Sequence, residues 1–204
     1  MHTDDGWHLT VFHPTGDENG PWTVTKNAVI FQHGMGGDSG EFESTATWHE
    51  GRPMAFQLGA KGYDVYLPNN RLVTYSNVHD TMTPYEKEFW DVDWSDYGVH
   101  DTPAVVAMIQ ERNGGKKVAY VGHSQGTTQA FAGMAVIPEW YDANISTAVM
   151  LGPCTTPSYY YMQGYTEENF SFLDENNIWA TSTTYGPSWS EQQALIMADG
   201  PPEL

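Results

Sequence analysis

The sequence predicts an α/β fold, a mostly parallel sheet with flanking helices. Strand-length apolar runs alternate with helix-length segments between residues 28 and 151. The apolar runs are continuous rather than alternating, as expected of strands covered on both faces. The later runs end directly at Pro68, Gly122 and Gly152.

The elements follow in order. His8–His13 alternates and carries Val11 and Phe12, which suits an early antiparallel strand, and Gly16–Pro21 is a turn by composition. Ala28–Phe31 is the first buried strand and stops at the Gly-rich loop His33-Gly34-Met35-Gly36-Gly37. Pro53–Ala60 reads as a helix closed by Gly62, and Tyr63–Leu67 as the next buried strand. Thr102–Arg112 is a helix with Thr102 as its cap, Pro103 in its first turn, and Val105, Met108, Ile109 and Arg112 on one face. Val118–Val121 is a third buried strand, Thr127–Val136 a small-residue helix, and Thr147–Leu151 a fourth strand. Beyond Pro153 the periodicity dissolves. Residues 1–158 are therefore expected to form the core, and 159–204 a partial cap or irregular arm.

Composition excludes several functions. Apolar residues are 40% of the chain and aromatics 14%, enough for a packed core. Eight Lys plus Arg stand against 26 Asp plus Glu, a net charge of −18 that repels nucleic-acid backbones and anionic membranes. Low pH would relieve that self-repulsion, although a solvated acidic surface explains the charge as well. A single cysteine, Cys154, rules out a disulfide framework and a multi-cysteine zinc site. No metal site and no cofactor is expected. No apolar run reaches the roughly 20 residues of a membrane-spanning helix, and Met1-His2-Thr3-Asp4-Asp5 is not a signal peptide. Asn144-Ile145-Ser146 and Asn169-Phe170-Ser171 are sequons that lean towards a secretory route.

Gly122-His123-Ser124-Gln125-Gly126 carries the chemistry. It lies where a buried strand turns directly into a helix, the setting in which a strained turn lifts a serine hydroxyl above a sheet as a nucleophile. Side chains at Gly122 and Gly126 would strike the neighbouring strand and helix. The backbone amides of Met35 and Gln125 are the expected oxyanion donors, and Gly34 lets the first loop come close. His33 reads as an imidazole bracing that loop rather than as a base. His123, adjacent to the serine in a tight turn, reads as packed or lid-facing.

These residues resemble the acid lipases of the gastric and lysosomal type. The similarity runs through Thr3–Leu9, Phe31–Met35, Met54–Leu58, Gly62–Leu67, Lys87–Asp91, His100–Ala104 and, most specifically, Tyr120–Thr128, covering about residues 3–158. The resemblance implies an α/β-hydrolase fold, hydrolysis of acylglycerols or sterol esters by a Ser-Asp-His triad with Ser124 as nucleophile, and a secreted or lysosomal location. There are departures. Pro68-Asn69-Asn70-Arg71-Leu72 stands where the family has Gly-Asn-x-Arg-Gly, which should seat this loop differently, and the family's cysteines are absent.

The triad order in this fold is Ser, Asp, His, yet no histidine follows His123. The chain is thus expected to stop before the last strands, with Asp and His supplied by a complementary chain or a C-terminal segment. Asp142, Asp174 and Asp199 follow the serine but none sits in a recognisable strand-end context, and the triad acid stays unassigned. Two further readings use the same residues: a catalytically inactive α/β-hydrolase-like binding or assembly subunit, and an acyltransferase.

Overall fold

The structure, a computed structural model, describes residues 1–43 and 53–155 together with Ser171 and Glu175. The expected cap or arm over 159–204 therefore lies outside the described residues, as does His49. The chain divides into two units, Met1–Asp80 with Asp93–Thr155, and Thr81–Val92 with the residues from Thr156 on.

The first unit holds four short strands, β1 (Trp7–His8), β2 (Val11–Phe12), β3 (Gly16–Asp17) and β4 (Gly20–Pro21), then β5 (Ala28–Gln32), β6 (Asp64–Pro68), β7 (Val78–His79), β8 (Val118–His123) and β9 (Ile145–Leu151). The main sheet has the order β2-β6-β5-β8-β9. β2 runs antiparallel to β6, and every other pairing is parallel. Gly16–Pro21 forms a tight hairpin of β3 and β4 rather than a turn alone.

β5 is the centre of the core. All five of its residues are buried, as the unbroken apolar run requires. Val29, Phe31, Val65, Leu67 and Val121 pack together from three adjacent strands, each contributing about 1.5–3 kcal/mol on burial. β9 is an edge strand among the described residues, and its central positions are exposed.

The helices are α1 (Gly40–Glu43), α2 (Met54–Ala60), α3 (Trp94–Asp96), α4 (Thr102–Asn113), α5 (Gln125–Val136) and α6 (Pro138–Asn144). Pro53 precedes α2 and Gly62, at φ +90°, follows it. Thr102 does not cap α4. A wide turn, Tyr97–Asp101, joins α3 to α4 without a break, so Thr102 is already helical and its hydroxyl donates to the Tyr97 carbonyl. The true start is Asp93, whose carboxylate accepts the Ser95 amide while Asp96 accepts the Asp93 amide. Val105, Val106 and Ile109 form the buried face of α4, and Gly114, left-handed at φ +75°, ends it.

Helix α5 lies directly on the backbone of the wide turn. A Cβ on Gly98 would stand 2.4 Å from the Gln129 carbonyl oxygen. One on Gly133 would stand 2.3 Å from the Tyr141 hydroxyl, which donates to the Gly98 carbonyl at 2.8 Å. In the second unit, Lys87–Trp90 forms one helical turn, preceded by Glu86 accepting the Thr83 amide and hydroxyl.

Candidate active site

Ser124 occupies the junction of β8 and α5 at φ 49°, ψ −115°. This backbone conformation is strained for any residue but glycine. The surroundings enforce it. The Ser124 amide donates to the Leu151 carbonyl on β9, and the Ser124 carbonyl accepts the Thr127 amide and hydroxyl. Tyr120, buried one turn of strand below, donates its hydroxyl to the Gly126 carbonyl at 2.6 Å. The two glycines have steric reasons. A Cβ at Gly122 would lie 2.6 Å from the Gly126 oxygen, and one at Gly126 would lie 2.6 Å from the Gln32 oxygen. Ser124 itself stays partly exposed.

The loop after β5 forms the facing wall. A Cβ on Gly34 would be 3.2 Å from the Ser124 Cβ and 3.3 Å from His123 Nδ1, so the loop passes tightly against the Ser124 turn. Met35, next along, turns its side chain outward, 65% exposed. Gln125 is the first residue of α5, where the amide has no acceptor within its helix and the positive end of the helix dipole gathers.

His33 is buried and fully committed. Its Nε2 accepts the Asn70 amide at 3.1 Å, which places the ring proton on Nδ1, donated to the Gly34 carbonyl at 2.8 Å. Burial holds its pKa below the ordinary histidine value. Such an imidazole braces the loop and has no lone pair left to act as a base. His123 points the other way from the core, 47% exposed, with its Nδ1 on the Glu41 carboxylate.

Two features escape sequence reasoning. Glu41 accepts the Gly34 amide at 2.7 Å with one carboxylate oxygen and meets His123 with the other, linking both walls of the site. The Gly34 amide is thereby already paired. Beneath the serine runs a buried chain of amides: Gln32 donates to Asn70, and Asn70 to Gln129 of α5.

Arg71 anchors the segment after β6. Its guanidinium donates to both oxygens of Asp5 at 2.6 and 3.0 Å and to Asp101 Oδ1 at 2.9 and 2.6 Å. Its backbone amide reaches Asp101 Oδ2, and its plane lies over Trp7. Burial pushes Asp101 up to about 6, with Arg71 pulling against it. Leu72 follows in the left-handed region at φ 72°.

Outside the site, the side chain of Asn144 is tied to Gln110 and to the Trp140 carbonyl, and Asn169 lies outside the described residues. Among the described residues no helix is long and apolar enough to cross a membrane.

The sequence family described as alpha/beta hydrolase fold matches residues 27–190. The chain is 35% identical over 161 residues to mouse lipase member K, and 33% identical over 161 residues to rat gastric triacylglycerol lipase. It is 33% identical over 164 residues to human lysosomal acid lipase/cholesteryl ester hydrolase. In these three comparisons 77% of the chain is covered, with 39%, 39% and 40% of the respective relatives. The chain thus spans about two fifths of the length of these relatives.

Proposed function

Because the chain belongs to the α/β-hydrolase fold family, we propose that it is the nucleophile-bearing part of a serine hydrolase of lipid carboxylic esters. Its sequence relatives are lipases, two of them named for triacylglycerol and cholesteryl ester. The observation that carries the reading is Ser124 at φ 49° on a strand-to-helix turn, with Gly34 packed against its Cβ.

In this mechanism Ser124 Oγ attacks the ester carbonyl carbon. The carbonyl oxygen becomes an oxyanion, held by the amides of Met35 and Gln125. Collapse expels the alcohol and leaves an acyl-serine, which water then hydrolyses. The serine proton must pass to a base. His33 is excluded by its two hydrogen bonds. The base and its carboxylate are proposed to come from a complementary chain or a C-terminal segment beyond these 204 residues. The setting proposed is a secretory or lysosomal lumen, following the gastric and lysosomal names of the relatives.

A fluorophosphonate probe tests the nucleophile. Ser124-dependent labelling is expected, slow because serine lacks an adjacent base and abolished in Ser124→Ala. Ester turnover by the 204 residues alone should be about 10⁴-fold or more below that of a complete triad. Labelling that persists in Ser124→Ala would remove the assignment. No labelling at all would favour the non-catalytic binding or assembly reading.

A further inference from the structure

A second constellation of side chains takes no part in this chemistry. His2 and His8 face each other across an isolated antiparallel bridge, with ring centroids 3.7 Å apart. Asp80, distant in sequence, joins them. Its Oδ1 accepts from His8 Nε2 at 2.7 Å, and its Oδ2 lies 3.9 Å from His2 Nδ1. One nitrogen from each ring and one carboxylate oxygen all lie within 4.8 Å of one another.

The backbone holds these positions in place. The Met1 carbonyl accepts the Leu9 amide at 2.8 Å, and the Trp7 carbonyl accepts the Thr3 amide at 2.9 Å, which closes the hairpin that aligns His2 with His8. β1 pairs with β7 in the register His8↔Val78, and the Asp80 amide donates to the Gly6 carbonyl at 3.0 Å. The three side chains are also open to solvent, at 58%, 38% and 48% exposure.

We infer that His2, His8 and Asp80 form a binding site for a divalent transition-metal ion of the Zn²⁺ type, with water completing the coordination. Metal–ligand bonds of about 2.0–2.2 Å in a tetrahedron put ligand atoms about 3.4 Å apart. His8 Nε2 lies 2.7 Å from Asp80 Oδ1 and His2 Nδ1 3.9 Å from Asp80 Oδ2, so the donor atoms already stand near the spacing a shared ion requires. The ion would replace the proton now shared between His8 Nε2 and Asp80. That proton leaves to solvent or reappears on Nδ1, and the neutral imidazole becomes the ligand. Two imidazoles select Zn²⁺, Ni²⁺ or Cu²⁺ over the oxygen-seeking Mg²⁺ and Ca²⁺.

A neighbouring group shows what disqualifies a cluster of similar spacing. Asp4, Asp5 and His100 also lie within 4.8 Å of one another. Both Asp5 oxygens, however, already accept from the Arg71 guanidinium, whose charge repels a second cation. No sequence pattern announces the His2 site, because its ligands come from two ends of a hairpin and from a strand end 72 residues beyond His8.

The test is a calorimetric titration of the 204-residue chain with ZnCl₂ in a non-chelating buffer. One saturable equivalent is expected, weakened about tenfold or more in each of His2→Ala, His8→Ala and Asp80→Asn, and unchanged in His100→Ala. MgCl₂ should give no saturable binding. With Zn²⁺ at a hundred times its dissociation constant, Tm should rise by about 5 °C in the parent. His2→Ala should show no such rise. His2 is exposed to solvent, so this variant keeps the test valid should His8→Ala fail to fold. Absence of saturable Zn²⁺ binding, or affinity unchanged in a folded His2→Ala, would overturn the site.

Discussion

The Nε2 of His33 accepts the backbone amide of Asn70 at 3.1 Å, pinning the end of β5 to the end of β6. His33→Ala should orphan the buried Asn70 amide, at about 1–3 kcal/mol, while the Gly34 carbonyl keeps the Gly37 amide. Urea unfolding should register a loss of that order, with slower fluorophosphonate labelling. Because burial lowers the folded pKa, the unfolded chain takes up a proton near pH 6.5 that the folded chain refuses. This contribution is therefore present above pH 6.5 and is lost as pH falls below it. The stability gap between parent and variant should narrow on acidification. A gap independent of pH would show that the imidazole is not held neutral.

Asp101 has the opposite sign. Its folded pKa is raised to about 6 from 3.8, so the folded chain binds the proton first on acidification. Its contribution is fully present below pH 3.8 and is lost as pH rises through 6. Relative to Asp101→Asn, the parent should gain stability as pH falls from 7 to 5, by about 1 kcal/mol. Chemical denaturation at those two pH values decides it. A difference that shrinks or stays constant would mean that Arg71 dominates over burial.

Arg71→Lys should be among the more damaging conservative changes in the molecule. A lysine supplies one point charge where the guanidinium spans two carboxylates, leaving Asp101 buried without its fork. The expected cost is about 3–5 kcal/mol, visible as a fall in the urea midpoint. A cost under about 1 kcal/mol would mean that the ion network is not a fastening.

Leu72→Gly should stabilise the chain by about 0.5–1 kcal/mol, because φ 72° strains a branched side chain and suits glycine. Leu72→Ala keeps the strain and should not help. Melting curves of the two variants are the comparison, and equal destabilisation by both would show that Leu72 packing outweighs its backbone.

Gly126→Ala would drive a methyl to 2.6 Å from the Gln32 oxygen. A backbone atom cannot give way as a side chain does, so a loss of about 3 kcal/mol or more and loss of Ser124 labelling are expected. Retained labelling at parental stability would show that the turn can open.

Much of this was legible in the residues. The unbroken apolar runs at Ala28–Phe31, Tyr63–Leu67 and Val118–Val121 are the signature of parallel strands covered on both faces, and they pair side by side. The Gly122, Ser124 and Gly126 spacing located the strained turn because its steric cause is local. The start of α4 was not legible. Thr102-Pro103 has the composition of a helix start, but the chain is already wound from Trp94, and Pro103 is tolerated within the continuous helix beside the wide turn. Glu41 was hidden for another reason: its partners, Gly34 and His123, meet it only after β5 and β8 have paired. The convergence of Asp5, Arg71 and Asp101 was equally invisible, although each lies in a recognisable stretch, because nothing in a stretch says which other stretch it will touch.

Gly98 and Gly133 leave two stretches of main chain in contact with no side chains between them. Helices separated by side chains can slip past each other as rotamers rearrange. Here there is nothing to rearrange, so α5 and the serine at its head form a fixed abutment. The opposite wall differs: Gly36 sits at φ +72° with open space around it and Met35 faces outward. One side of the Ser124 turn is thus packed backbone on backbone, and the other is an open loop.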